Sequence, residues 1–356
     1  VIVCTVFLSP YMENPARAMA VGVLIGGSLQ AIFQLPFVLK KGFRFSLATI
    51  SRLKKNKSFQ KVLKLIGPVI IQMAAYQLGN LITSIIATKA GEGVASSLQF
   101  SIRLQELLLG IFAVSIGTVI LSELSENAKK LEWKKFNDNL SFALKVTAII
   151  MIPAMFFSLI NGPEIITLLF KDGKFNTQSV YLTVYAFNFH IIGIFFIASQ
   201  RVIAPAFFAQ ENTKIPVFSG IISLVVNVAL SLLLYKSMQG GGIALASTIG
   251  AFINILILLY VLLFKMDQKF SKTVKAFLLY SLKLLVISII IILPFYYFKS
   301  FFYNLFKEST YKLVSYGVPF FLTSILFFLL LFITLFIIKD AIIKDLFTIL
   351  RRKLKK

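Results

Sequence analysis

Apolar residues run along this chain in long blocks, separated by short polar or basic intervals. Nine such blocks cover roughly 18–38, 66–88, 95–122, 141–161, 179–200, 216–235, 241–264, 277–297 and 313–338. A helix needs about 20 apolar residues to cross a bilayer, and each block approaches or exceeds that. The strands of a membrane barrel would be about ten residues long and alternate with period two, and no block alternates. The pattern predicts an all-α polytopic membrane protein with nine transmembrane helices. Ahead of them lies an apolar stub, VIVCTVFLS at 1–9, which reaches only about 13 Å as helix. It lacks the basic flank and small-residue cleavage site of a secretory signal. It is therefore expected to be the end of a membrane helix, with the chain starting part-way through it. YMENPAR (11–17) follows as a polar turn.

Composition agrees: 58% of residues are hydrophobic, 14% are charged, and the mean hydropathy is +0.87. Soluble domains run at about 45–50% apolar and about 25% charged, so a soluble enzyme is excluded. The net charge of +23 would suggest nucleic acid if read alone, but the placement of the basic residues argues against that partner. The interval 39–65 carries nine Lys or Arg and no acid. If that interval is cytoplasmic, alternate intervals should be basic, and they are. The cytoplasmic set (39–65, 123–140, 201–215, 265–276 and the tail) totals 26 basic residues, against eight on the other side. This predicts a cytoplasmic C-terminus. Lys145 and Lys283 fall about one turn inside their blocks and are expected to reach the headgroups. The tail 340–356 reads as a basic amphipathic helix lying on the anionic leaflet.

One cysteine (Cys4) excludes an intrachain disulfide, and one histidine (His190) excludes a His-rich metal site. No interval exceeds about 27 residues and no GxxxxGK[ST] loop occurs, so no ATPase module is present to drive transport. The chemistry must lie in the polar groups carried into the membrane. Arg103 and Glu106 are three residues apart in SSLQFSIRLQELLLGIF (97–113) and share a helical face. Intramembrane charge is costly and normally faces the bundle interior or a watery cavity. Two readings stand: a self-neutralising pair joining helices, or a cavity in which the Arg103 guanidinium meets a phosphate while Glu106 orients it. Gln72, Gln77 and Asn80 share one face of their block and are candidates to line the same cavity. Gln30 and Gln34, together with Asn188, His190, Gln200 and Arg201, are expected to be gating or structural polar groups. Side-chain amides also bond across helix interfaces. A many-helix bundle with few buried charges and no ATPase reads as a secondary transporter or flippase.

Several blocks also resemble the MviN/MurJ family of bacterial lipid II flippases. They are VGVLIGGSLQAIFQLPFVLKKG (21–42), GPVIIQMAAYQLGNLITSIIATKAGEGVASSLQFSIRLQELLLGIFAVSIGTVILSELS (67–125), LLFKDGKFNTQSV (168–180) and RVIAPAFFAQENTKIPV (201–217). The resemblance covers about residues 1–297 well. It implies a two-lobed fold of fourteen helices, of which this chain would hold helices five (in part) to fourteen. Residues 1–65 would end the first lobe, 66–264 would form the second six-helix lobe, 265–338 would be two additional helices, and 339–356 the basic tail.

The resemblance also implies an activity: moving undecaprenyl-diphosphate-linked peptidoglycan precursor from the inner to the outer leaflet of the cytoplasmic membrane by alternating access. No cofactor is implied, beyond coupling to membrane potential or a monovalent cation. The expected partners are the lipid-linked glycan, membrane lipids and cell-wall synthesis proteins, around a monomer. Arg103 and Glu106 match the family's cavity Arg and Glu. The acid that the family carries just before that Arg is Ile102 here, which leaves Arg103 to be balanced mainly by Glu106. The alternatives are a flippase for another polyprenyl-linked glycan and a non-transporting membrane scaffold.

Overall fold

The computed structural model describes residues 2–42, 56–265, 270–309 and 311–345. It divides into two compact units, Val1–Leu63 and Lys64–Lys356. In the first, α1 (Ile2–Leu8) ends in a 3₁₀ turn, Ser9–Tyr11, and packs on α2 (Pro15–Lys40). Gln30 and Gln34 are both exposed on α2.

The second unit is entered by α3 (Lys57–Lys89) at Lys64. Helix α4 (Val94–Leu108) passes through a π-helical turn, Leu109–Val114, into α5 (Ser115–Lys129). Then come α6 (Trp133–Phe170), α7 (Thr177–Ile192), α8 (Ile194–Phe208), α9 (Lys214–Phe264), α10 (Ser271–Leu305) and α11 (Val318–Ile337). Among the described residues seven helices are long and apolar enough to cross a membrane, or eight with α7 and α8, bent by 41°, taken as one span. The chain is a multi-pass membrane protein. Helix α9 has 51 residues and would be roughly 76 Å long if straight, over twice the hydrocarbon thickness of about 30 Å. It is not straight: Gln239 at φ 46°, ψ −129° interrupts it within QGGG, separating 214–238 from 240–264.

Helix α6 is the hub, packing against α5, α7, α8, α10 and α11. Its Phe157 sits among Phe295, Phe320, Phe327 and Phe328, with ring centroids 5.4–6.1 Å away. In a bilayer, close packing rather than expulsion of water holds helices together. These rings supply such packing where α10 and α11 join the lobe.

Two findings about charge go beyond the sequence. Lys283 has a partner: its Nζ donates to Oδ2 of buried Asp340 at 2.6 Å. Oδ1 of Asp340 accepts from the Tyr280 hydroxyl at 3.0 Å and from the Ile342 backbone N–H at 3.0 Å. The acid therefore fastens the end of α11 to α10 and caps the following turn. Secondly, α8 continues to Phe208, so Arg201 belongs to a helix rather than to a basic loop. Of the amphipathic tail, 346–356 lies outside the described residues.

Candidate functional site

A cavity of about 830 Å³ opens within the second unit, walled by α3, α4, α7, α8 and both halves of α9. Small residues make room for it: Gly79 and Ala87 on α3, Ala95 and Ser96 on α4, and Ala251 on α9. Its charged groups are Arg103, Glu106 and Arg201, joined by the neutral polar Asn80, Gln99 and Gln200.

The ion pairing differs from what helical spacing predicted. Arg201 Nη2 on α8 donates to both carboxylate oxygens of Glu106 on α4, at 2.9 and 3.0 Å. Arg103, one turn before Glu106, is exposed on the cavity wall and has no ion-pair partner among the described residues. Glu106 is therefore bound to a different helix, and Arg103 is left without a neutralising partner among the described residues. Gly117 sets the position of Arg201: a Cβ there would lie 2.8 Å from the Arg201 carbonyl oxygen. Only a glycine lets α5 approach α8 this closely at that level.

Near Glu106 the wall is built around a helix break. Helices α7 and α8 meet at Gly193, where a Cβ would fall 2.6 Å from Thr248 Oγ1. A bend frees carbonyls that must find donors in a low-dielectric interior. The Phe189 carbonyl accepts from Thr248 Oγ1 at 2.6 Å, and the His190 carbonyl accepts from the Gln105 side-chain amide. The buried His190 ring lies with Nδ1 2.6 Å from Ser101 Oγ. Helices α4 and α9 thus hold the bend in place from two sides.

The family model described as lipid II flippase MurJ matches residues 1–317. The chain belongs to the MurJ family. It is 37% identical over 327 residues to the probable lipid II flippase MurJ of Treponema pallidum (strain Nichols), covering 92% of this chain and 62% of that protein. It is 28% identical over 259 residues to the lipid II flippase MurJ of Burkholderia cenocepacia, covering 72% of this chain and 50% of that one. This chain thus spans between about half and two thirds of these relatives. Among solved structures, lipid II flippase MurJ in an inward closed conformation aligns with a TM-score of 0.69 at 25% identity, over 96% of this chain and 66% of the other. An outward-facing multidrug transporter of the MATE family aligns with a TM-score of 0.55 at 13% identity, which is a likeness of fold alone.

In this MurJ-family chain the cavity brings together Arg103, Glu106, Asn80, His190, Gln200 and Arg201. Gln77 is exposed on α3 and does not line the cavity. The Gln72 side chain lies outside the described ones. Asn188 is half-buried away from the cavity, and its Oδ1 lies close to Gly162 without a hydrogen-bond partner. Sequence reasoning overlooked Ser101, Gln105 and Thr248. Their one legible signal was their position: Ser101 and Gln105 sit four apart, on the face of α4 that turns toward α7. The described residues contain no group of three or more His, Cys, Asp or Glu able to hold a metal ion.

Proposed function

We propose that this MurJ-family chain carries the second lobe of a flippase for undecaprenyl-diphosphate-linked peptidoglycan precursor, lipid II, and that Arg103 receives the diphosphate. The observation that carries the reading is the exposed Arg103 guanidinium, without an ion-pair partner among the described residues, on the wall of a cavity of about 830 Å³ within a membrane bundle. A planar guanidinium fork matches phosphate oxygens in two parallel hydrogen bonds. A charge carried into a membrane-spanning helix is costly, which marks it as a candidate functional group. If 214–238 and 240–264 act as separate spans, and α7 with α8 as one, the described residues would make nine spans. These would correspond to helices six to fourteen of the family fold.

The 26-to-8 distribution of basic residues supports a cytoplasmic C-terminus in the inner membrane. Alternating access would expose the cavity to each leaflet in turn, with the protein acting as a monomer beside cell-wall synthesis proteins. Flipping makes and breaks no covalent bond. Coupling to membrane potential or to a monovalent cation belongs to the same proposal. Besides the Arg201-bound carboxylate of Glu106, the cavity would offer a hard cation neutral oxygens such as those of Asn80 and Asn254, the latter with a buried, unpartnered Oδ1.

The test is Arg103→Ala in a strain depleted of its own lipid II flippase. Growth and lipid II translocation should both fail while the variant accumulates in the membrane. Normal growth on Arg103→Ala would refute the assigned role. Translocation of a different polyprenyl-linked glycan with lipid II left untouched would redirect the substrate.

A further inference from the structure

The pairing of Glu106 raises a question that the Arg103 reading alone does not answer. Glu106 follows Arg103 by three residues on the same helical face, a spacing at which opposite charges meet. Left alone, the carboxylate would neutralise the group meant for the substrate. Arg201 prevents this by donating from α8 to both carboxylate oxygens, at 2.9 and 3.0 Å.

We propose that Arg201 is a positioning residue whose work is to sequester Glu106, so that Arg103 stays free for a diphosphate anion. The inference rests on the reading of Arg103 as the anion-binding group. Three features of the site support it. Arg201 is spent on Glu106, and its Nη2 bonds both acceptor oxygens. Its backbone is fixed by the close approach of Gly117. Both members of the pair line the same cavity as Arg103. Among the described residues the wall therefore presents one arginine without an ion-pair partner, although two face it. Removing Arg201 does not merely subtract a distant charge: it releases Glu106 to close on Arg103.

A simple strut between α4 and α8 would behave differently, and the two ideas separate cleanly in a double variant. Farnesyl diphosphate in detergent micelles serves as the probe, with affinity read by calorimetry on the purified protein. Arg103→Gln should weaken binding by about 10–100-fold, the range expected for losing a charge-assisted hydrogen-bonded contact. Arg201→Gln should weaken it by about tenfold, since Glu106 then occupies Arg103. Glu106→Gln combined with Arg201→Gln should recover most of that loss, because the competing carboxylate has gone as well.

If the double variant binds no better than Arg201→Gln alone, the pair is only a strut and the inference is overturned. If Arg103→Gln binds as the parent does, the anion-site reading itself has failed, which is a separate outcome. Should Arg201→Gln not fold, Glu106→Gln alone decides the matter. It leaves two free guanidinium groups and should tighten binding by about threefold or more, whereas loss of a strut would weaken it.

Discussion

Two of the acid–base pairs among the described residues, Glu106–Arg201 and Glu164–Lys299, tie helices together in opposite ways. Glu106–Arg201 joins α4 to α8 on the wall of a cavity, with side chains 42% and 30% exposed. Glu164–Lys299 joins α6 to α10 at 2.8 Å, with side chains only 17% and 14% exposed. The second pair is packed in. Lys299 also donates to the Ile160 carbonyl at 2.6 Å and lies 5.8 Å from the Tyr303 ring centroid, while Glu164 Oε2 is buried with no partner. A buried pair has lost its solvation and depends on its partner for compensation, whereas an exposed pair keeps much of its solvation and is screened. The peripheral pair is thus committed to structure. The cavity pair can afford to be broken, which suits a wall that must meet a charged substrate.

The largest effect should come from breaking the buried pair on one side only. Lys299→Ala leaves the largely covered Glu164 carboxylate without its cation and should cost about 3 kcal/mol, read as a lower melting temperature in detergent. Replacing both members by apolar residues of similar size, Glu164→Leu with Lys299→Met, should recover most of that stability. A double variant as unstable as the single would mean that the pair contributes specific geometry beyond mutual compensation.

Next in size is Gly117→Val. Its side chain would collide with the Arg201 carbonyl oxygen, which a Cβ already approaches to 2.8 Å. Overpacking of this kind costs about 1–3 kcal/mol. Because the collision falls on the backbone of Arg201, it should also displace the guanidinium from Glu106 and weaken diphosphate binding. Unaltered binding in a destabilised variant would show that the guanidinium reaches Glu106 from a range of backbone positions.

The architecture was largely legible in the sequence because bilayer thickness imposes it residue by residue: long apolar blocks can be little else. The break in α9 was legible too, because QGGG at 239–242 divides two apolar blocks. Arg103 and Glu106 stood out because charge inside such a block is rare. Their pairing did not, since helical spacing speaks only for neighbours on one helix. The preference of Glu106 for Arg201 is decided by the packing of α5 on α8 at Gly117, a contact between distant segments. Arg201 itself was obscured by hydropathy, which ended its block at residue 200 and placed it in a loop. The partner of Lys283 was hidden for a related reason. Asp340 lies 57 residues away, past an entire span.

The smallest expected effect sharpens the comparison most. Glu106→Gln removes the charge from the exposed pair and keeps its shape. Exposed pairs contribute about 0–1 kcal/mol, so the melting temperature should hardly move. In the buried pair the same change, Glu164→Gln, should be clearly felt, because Lys299 would remain charged and half-compensated. Salt separates the two pairs again. Screening acts on charges that solvent reaches and far less on buried ones, so raising ionic strength should loosen the Glu106–Arg201 pair and leave the Glu164–Lys299 joint intact. If Glu106→Gln instead destabilises the protein as much as Glu164→Gln does, the cavity pair is a structural joint as well. Arg201 would then hold α4 against α8 in addition to keeping a carboxylate away from Arg103.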